Sequence, residues 1–343
     1  MTAAKLDAAD GRLLNLIQAE IPITESPWAV LGEKAALTPA ETLTRVAGLE
    51  ARGLIRRLGG VFDSRRLGYT GTLCALQAPP ERLRAIAAVV NAYAGVTHNY
   101  IRRHEYNMWF TLLAPGRAEL GRLTKEISAR AGAGKWLNLP ARRYFKLRVS
   151  FPVDLPPGDP VAEISASEAP ERTVWDEGGA EGGAANAPVF TAPEKRLIAA
   201  LQAGLPLEPR PYAVLAAGLG WAEERALSVL TAWRKQGVLK RVAAIPRHRL
   251  IGYSANAMVV WRVPPAQVET VGQRLAARPE VTHCYERETM PQWPYNVYTM
   301  LHARDEEACR LMAGELAALI GIKEYELLFS ETELKKSGMK YFS

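Results

Sequence analysis

One internal repeat constrains this 343-residue chain more than any other feature. Pro27-Trp28-Ala29-Val30-Leu31 returns 184 residues later as Pro211-Tyr212-Ala213-Val214-Leu215. At the same offset Gly53-Leu54-Ile55-Arg56-Arg57 returns as Gly237-Val238-Leu239-Lys240-Arg241, and Leu67-Gly68-Tyr69 as Ile251-Gly252-Tyr253. Val96-Thr97-His98 answers to Val281-Thr282-His283 at 185, and Tyr106-Asn107 to Tyr295-Asn296 at 189, so the second copy gained four residues in one loop. An offset so nearly constant marks a duplication, and it sets the architecture before any local propensity is weighed. Each copy is long enough to bury a core of its own.

Residues 153–188 separate the copies. PPGDP, SASEAPE and EGGAEGGAANAP are rich in Gly, Ala, Pro and acids. Such a stretch lacks the apolar surface to offset its ordering entropy and reads as a flexible acidic linker. Its acids also leave the folded parts more basic than the whole chain, whose formal charge is already +7. An anionic partner follows, either a nucleic acid or a polyanionic small molecule.

Residues 1–63 and 189–247 each read as a winged helix-turn-helix. In the first copy Asp10–Glu20 carries Leu13, Leu14, Leu16 and Ile17 at amphipathic spacing, and Pro22 ends it. Ser26-Pro27 and Thr38-Pro39 supply cap-plus-proline starts for two more helices, the last ending near Gly53. The runs Leu54–Leu58 and Gly60–Asp63, with glycines between, are expected to form the wing. Pro193–Ala203, Pro211–Ala217, Trp221–Gln236 and Val238–Pro246 repeat the series.

Residues 64–152 and 248–343 alternate strand and helix patterns: Tyr69–Leu76, Pro80–Tyr93, Val96–Arg103, Tyr106–Ala114, Arg117–Ala131 and Trp136–Phe151 in the first copy. The second follows from Ser254 to Phe329. This βαββαβ order is the ferredoxin-like plait. The fold class is α+β, a duplicated winged helix-turn-helix plus plait.

The first residues do not read as a signal peptide, and no apolar run is long enough for a bilayer. Cys74, Cys284 and Cys309 lack paired spacing and suit a reducing, cytoplasmic setting. CxxC, HExxH and phosphate-loop motifs are absent.

Two resemblances join these readings. Leu37–Tyr69 is similar to the DNA-binding part of leucine-responsive (Lrp/AsnC) regulators, which carry the same plait behind it. More specifically, His98-Asn99-Tyr100-Ile101-Arg102-Arg103-His104-Glu105-Tyr106-Asn107-Met108-Trp109-Phe110-Thr111 resembles the first component of siroheme decarboxylase. His283-Cys284-Tyr285-Glu286-Arg287, Trp293-Pro294-Tyr295-Asn296 and the C-terminal Lys335-Lys336-Ser337-Gly338-Met339-Lys340-Tyr341-Phe342 resemble the second. The resemblance implies a fused form of that enzyme, removing carbon dioxide from two acetate side chains of siroheme on the route to haem d1 or haem b. It implies no separate cofactor and no resident metal, since siroheme is the substrate and brings its own iron. It also implies pairing of the two copies within the chain, with further homo-oligomerisation and contacts to other haem d1 biosynthesis proteins left open.

That chemistry needs cationic anchors for an octacarboxylate and a proton donor for the methylene left after carbon dioxide departs. On an extended strand His98, Tyr100, Arg102 and His104 share a face, and His283, Tyr285 and Arg287 repeat the first three. His98 and His283 are therefore the expected proton donors, Arg102 and Arg287 the carboxylate anchors, and Tyr100 and Tyr285 either positioning or packing groups. Asn107 and Asn296 follow the hairpin loops closely enough to reach the same mouth. His104 is an extra candidate of the first copy, where the second has Thr289. Lys146 and Lys336, read as equivalent, and Arg142 fit propionate contacts or solvated surface. Tyr106, Trp293 and Tyr295 fit walls for the ring or core packing, with the longer Glu288–Pro294 loop as a lip. Cys284 falls on the face opposite His283 and reads as a buried small residue.

A dedicated DNA-binding regulator is the rival. Its third helices open Thr38-Pro39-Ala40-Glu41 and Trp221-Ala222-Glu223-Glu224, and glutamates there would face phosphates. Basic residues such as Arg45, Arg52, Arg56, Arg234 and Lys240 sit near helix C-termini and the expected wings, so weak or absent DNA binding is expected. A third reading is a tetrapyrrole sensor without turnover.

Overall fold

The computed structural model describes residues 6–132, 134–147, 151, 153, 155, 159, 161, 188–247, 250 and 255–342. The first winged-helix unit holds α1 (Ala8–Ala19), α2 (Pro27–Ala35), α3 (Pro39–Ala51) and β1 (Ile55–Phe62). Local chemistry explains the starts. Asp7 accepts the Asp10 amide at the head of α1, and Thr38 with Glu41 forms a full capping box on α3. The first plait follows as β2 (Tyr69–Leu76), a short 3-10 turn leading into α4 (Leu83–Asn91), β3 (Val96–Arg102), β4 (Met108–Pro115), α5 (Gly116–Ala131) and β5 (Trp136–Leu147). The second copy repeats the order as α6 (Ala192–Ala203), α7 (Pro211–Ala217), α8 (Glu223–Lys235), β6 (Leu239–Pro246), β7 (Ala255–Trp261), α9 (Val268–Ala276), β8 (Val281–Arg287), β9 (Val297–Ala303), α10 (Glu306–Ile320) and β10 (Tyr325–Lys336).

The expected wings do not form. β1 runs straight through Gly59-Gly60 and pairs antiparallel with β6 of the other copy. The glycines serve close packing instead: a Cβ at Gly59 would lie 2.4 Å from the Leu201 carbonyl oxygen, and one at Gly60 would meet Leu201 and the Phe62 ring. Both winged-helix units share one core, in which Leu13, Ile17 and Leu49 join Leu197, Leu201, Tyr212 and Leu230. Trp28 Nε1 donates to the Glu208 carbonyl across the copies, 2.7 Å.

Each plait has the order β3-β4-β2-β5 or β8-β9-β7-β10, and its final strand is long enough to leave its own sheet. β5 pairs with β2 over Trp136–Pro140 and then with β8 over Ala141–Leu147. β10 pairs with β7 over Tyr325–Phe329 and then with β3 over Ser330–Lys336, beyond the expected end of the plait at Phe329. The two sheets close into one eight-stranded barrel. The outward face of each sheet packs under its helices, Cys74, Val90 and Phe110 in one case and Val259, Cys284 and Leu316 in the other. The inward faces meet in a further core of Leu73, Trp109, Leu139, Val260, Trp293, Tyr298 and Leu328. Each such side chain contributes about 1.5–3 kcal/mol relative to exposure, so pairing of the plaits belongs to the fold itself.

The expected linker begins later than residue 153. Val153 exchanges hydrogen bonds with the Asn15 side chain, Phe151 with Gln18, and Asp159 pairs with Arg12 at 3.2 Å. The acidic stretch at 162–187 lies outside the described residues.

Candidate active site between the two plaits

Strand alternation places the repeated motif as its spacing predicts. Asn99 and Ile101 turn under the helices, while His98, Tyr100 and Arg102 face the interior between the sheets. His98 stacks near Tyr100, with ring centroids 6.3 Å apart, and the Arg102 guanidinium lies 5.5 Å over Tyr100. His283, Tyr285 and Arg287 match them, with Arg287 5.0 Å over Tyr285. Cys284 is buried on the other face, and burial pushes its thiol pKa up.

Sequence reading missed the residues that aim the histidines. A β-bulge sits at Thr97 in β3 and at Thr282 in β8, between a regular pair and the histidine pair. A bulge re-aims one side chain relative to its neighbour. Here it lets each threonine hydroxyl reach the Nδ1 of the following histidine, at 3.0 Å in both copies. Nδ1 is thereby occupied, and Nε2 of neither ring is hydrogen-bonded among the described residues. The repeated Val-Thr-His triplet was the available signal.

The arginines are anchored by the crossing strands. Arg102 donates to the Leu328 carbonyl at 2.6 Å, and Arg287 to the equivalent Leu139 carbonyl at 2.9 Å. Both guanidiniums are buried, the Nε of each lacks a partner, and no carboxylate pairs with either among the described residues. Burying an unpaired cation is costly, so such groups are poised for an anion.

Electrostatics tie the halves together. Burial, then Lys336 and Arg56, pull the His98 pKa down to about 4. Burial, then His98 itself, Lys240, Lys146 and Arg287, pull His283 down to about 3. Arg102 and Arg287 reach the carbonyls of Leu328 and Leu139, both in the core that the two inward faces share, so the two motifs line one interior. Arg56 and Lys240, expected near wings, stand beside this interior on β1 and β6. Lys240 is pushed down to about 8 by burial despite Asp63 at 3.6 Å. A cavity of 160 Å³ opens between Lys240, Arg65, Tyr144 and Tyr341. Its size suits a peripheral acid group, since whole-ligand pockets run to about 300–1,000 Å³. Arg65 caps Tyr144 at 4.6 Å, and Tyr144 stands edge-on to Tyr285 at 5.3 Å.

Other expected residues lie elsewhere. Asn107 bonds both the N–H and the carbonyl of Ala78, at 2.8 and 2.9 Å, and Asn296 does the same with Val263. Each amide is a clamp between hairpin and neighbouring strand end, so neither reaches a mouth. β3 ends at Arg102, and His104 turns away to Glu326 at 3.2 Å, stacking on Tyr106 with edge contact to Trp293. Tyr295 bonds the same Glu326. Tyr106 and Trp293 are buried, and Trp293 reaches in to Trp109 with its Nε1 on the Tyr298 hydroxyl. The longer loop is thus a plug, not a lip. The barrel register makes Lys146 equivalent to Lys335, not to Lys336. Lys146 donates to the Arg278 carbonyl and Lys335 to those of Asn91 and Tyr93, each at the end of a plait helix. Lys336 instead pairs opposite His98, where the second copy has Leu147 opposite His283. Arg142 is exposed at a bulge in β5.

Fold and site together define a duplicated winged-helix and AsnC-type chain whose two plaits enclose one cationic, histidine-bearing interior. Residues 66–146 and 250–335 match the AsnC-like ligand binding domain, and residues 10–56 and 194–239 match the siroheme decarboxylase NirDL-like HTH domain. The chain is 34% identical to a siroheme decarboxylase of Hydrogenobacter thermophilus, over 97% of this chain and 94% of that one. A siroheme decarboxylase alpha subunit of Desulfovibrio desulfuricans is 46% identical over 44% of this chain and 87% of its own length. The crystal structure of the siroheme decarboxylase NirDL in co-complex with an iron-uroporphyrin III analogue superimposes with a TM-score of 0.71 at 31% identity, covering 98% of this chain and 95% of that one. The chain belongs to the siroheme decarboxylase family.

Proposed function

We infer that this chain is a siroheme decarboxylase, removing carbon dioxide from two acetate side chains to give didecarboxysiroheme for haem d1 or haem b biosynthesis. The carrying observation is the pair of buried guanidiniums, Arg102 and Arg287, which face one interior with no carboxylate partner among the described residues. An octacarboxylate supplies the missing anions. Each of the two decarboxylations consumes one proton, R–CH2–COO⁻ + H⁺ giving R–CH3 + CO2, with the electron pair of the broken C–C bond ending in the new C–H bond.

His98 and His283 are the donors in this reading. Burial and the surrounding cations keep both neutral before an anion binds. Carboxylates entering the interior offset those cations and raise the imidazole pKa values back towards the working range. Protonation is thereby coupled to substrate binding. Tyr100 and Tyr285, whose hydroxyls burial keeps protonated, position ring substituents. Siroheme brings its own iron, and no further cofactor enters the step. Separate alpha subunits of matching length support reading the two copies as a fused pair.

The regulator reading loses its main surfaces. Both expected wings are consumed in the β1–β6 ribbon, Arg45 and Arg52 pair with Asp10, and Arg234 pairs with Glu20. No helix among the described residues is long and apolar enough to cross a membrane. Mixing the protein with siroheme without oxygen and following product mass tests the proposal. Loss of two carbon dioxide units is expected; binding with unchanged mass would make the chain a sensor.

A further inference from the structure

The β1–β6 ribbon pairs residue for residue except at two points, and a cation stands at each. Ile55 pairs with Pro246 and Arg57 with Ile245, which leaves Arg56 over; Val61 pairs with Arg241 and Phe62 with Leu239, which leaves Lys240 over. The two are equivalent positions of the duplication, 184 residues apart. A bulge takes one side chain out of the ladder and re-aims it. Arg56 stands beside His98, Tyr100 and Glu333, and Lys240 beside His283. Both cations come from the winged-helix units, outside the His-x-Tyr-x-Arg motifs of the plaits.

The corner under Lys240 holds the 160 Å³ cavity, lined also by Asp63 and Arg65 after β1, by Tyr144 and Leu147 of β5, and by Tyr341. Leu147 lies opposite His283 in the barrel register and Tyr144 opposite Tyr285, so the cavity is one strand from the reacting face. Arg65 holds Asp63 at 2.8 Å, and Lys240 stands 3.6 Å from the same carboxylate. Two cations against one carboxylate leave a positive charge in excess among these lining residues. The first copy places Arg56, Arg247, Glu333 and Lys336 where this corner has Lys240, Asp63, Tyr144 and Leu147. Cations outnumber carboxylates there as well, three to one.

We propose that the β1–β6 ribbon walls the substrate interior and that Arg56 and Lys240 each hold a carboxylate arm that siroheme keeps. The inference rests on siroheme being the substrate. An ion pair surrendered as carbon dioxide leaves would stabilise the ground state alone, so these fixed cations suit acid groups that are retained. The winged-helix units then serve the same small molecule as the plaits.

Siroheme titrations of Arg56→Met, Lys240→Met and Lys240→Arg test this, with product masses alongside. Each methionine variant should bind siroheme about ten- to a hundredfold more weakly, the worth of one hydrogen bond to a charged group. Both carbon dioxide units should still leave at saturating siroheme, because the anchored acids are those the product keeps. Lys240→Arg should restore the affinity and change its pH dependence. Burial brings the Lys240 ammonium down to about 8 against the pull of Asp63, and Arg65 and Arg241 add to the fall. Tyr144, His283 and Tyr341 also face it; His283 titrates at about 3, and burial pushes Tyr341 up. A bound carboxylate favours the ammonium, so wild-type affinity should fall as pH rises through 8, and that of Lys240→Arg should not.

Wild-type affinity in both methionine variants, or a loss that Lys240→Arg does not restore, would overturn the assignment. A stop after one carboxyl loss with unchanged affinity would place the cation at a reacting acetate and overturn it too. In a protein that decarboxylates siroheme, these results refute the anchors and leave the function standing. Weakened titrations in a protein that binds siroheme but never releases carbon dioxide uphold the anchors and refute the function instead. A wild type that does not bind siroheme refutes both.

Discussion

The two halves of the interior agree in how they hold charge and differ in how they surround the proton donor. Both carry His-x-Tyr-x-Arg on a strand bulged at the preceding threonine, and both send the arginine to an equivalent leucine carbonyl of the crossing strand. Around the histidines the match ends. His98 faces Lys336, Arg56 and a threonine pair; His283 faces Leu147, Lys240 and, behind Thr282, His302. Anchoring a polyanion with rotated, similar acid groups is served by repetition. Two successive proton transfers to chemically distinct acetates are better served by two environments.

The sharpest way to break this comparison is to remove the donors one at a time. His98→Ala and His283→Ala are each expected to slow one of the two carboxyl losses by about 10²–10⁴-fold while siroheme titrations stay near wild type. Product masses from single-turnover reactions would show whether the two variants stop at different acetates; full turnover in both would remove the donor assignment. A smaller effect follows from the arginines. Arg102→Met and Arg287→Met keep stem packing but delete the unpaired charge. Each should weaken siroheme by about a hundredfold, in the range for losing one side of a buried ion pair. The substrate-free protein should be no less stable in thermal melts, because a buried cation with no carboxylate partner among the described residues is itself a cost. A lowered melting temperature with unchanged affinity would make the arginines purely structural.

The smallest effect is the pH dependence of stability in the substrate-free protein. An unfolded histidine protonates as pH falls through its ordinary 6.5, whereas His98 and His283 resist until about 4 and 3. Between those limits the unfolded chain binds more protons, so their stabilising contribution is complete above 6.5 and is lost as pH falls towards 4. Denaturation midpoints measured from pH 7 to 4.5 should fall less steeply in His98→Ala and His283→Ala than in the wild type. Equal slopes would mean that the rings are hydrated. Bound siroheme should flatten the wild-type curve as well.

Much of this was legible beforehand. The duplication, the helix cap at Thr38, the plait order and the shared face of His98, Tyr100 and Arg102 are local or periodic properties, carried by spacing alone. Asn107 and Asn296 illustrate the limit. Their recurrence was visible, but recurrence is the same for a backbone clamp and a substrate contact, and only the Ala78 and Val263 hydrogen bonds distinguish them. His104 shows a second limit, since strand alternation holds only until the strand ends at Arg102.

By itself the sequence determined that there are two copies, what each is built from, and which face of one strand in each carries histidine and arginine. The tertiary structure decided that the two faces make one interior rather than two sites. That outcome depends on β5 and β10 leaving their sheets, on β1 choosing β6 over a wing of its own, and on a threonine bulge that brings His302 behind His283. All are pairings between residues far apart in the chain. Their strength lies in hydrogen-bond ladders and buried area shared between copies, and no period in the sequence records which distant partner a strand will meet.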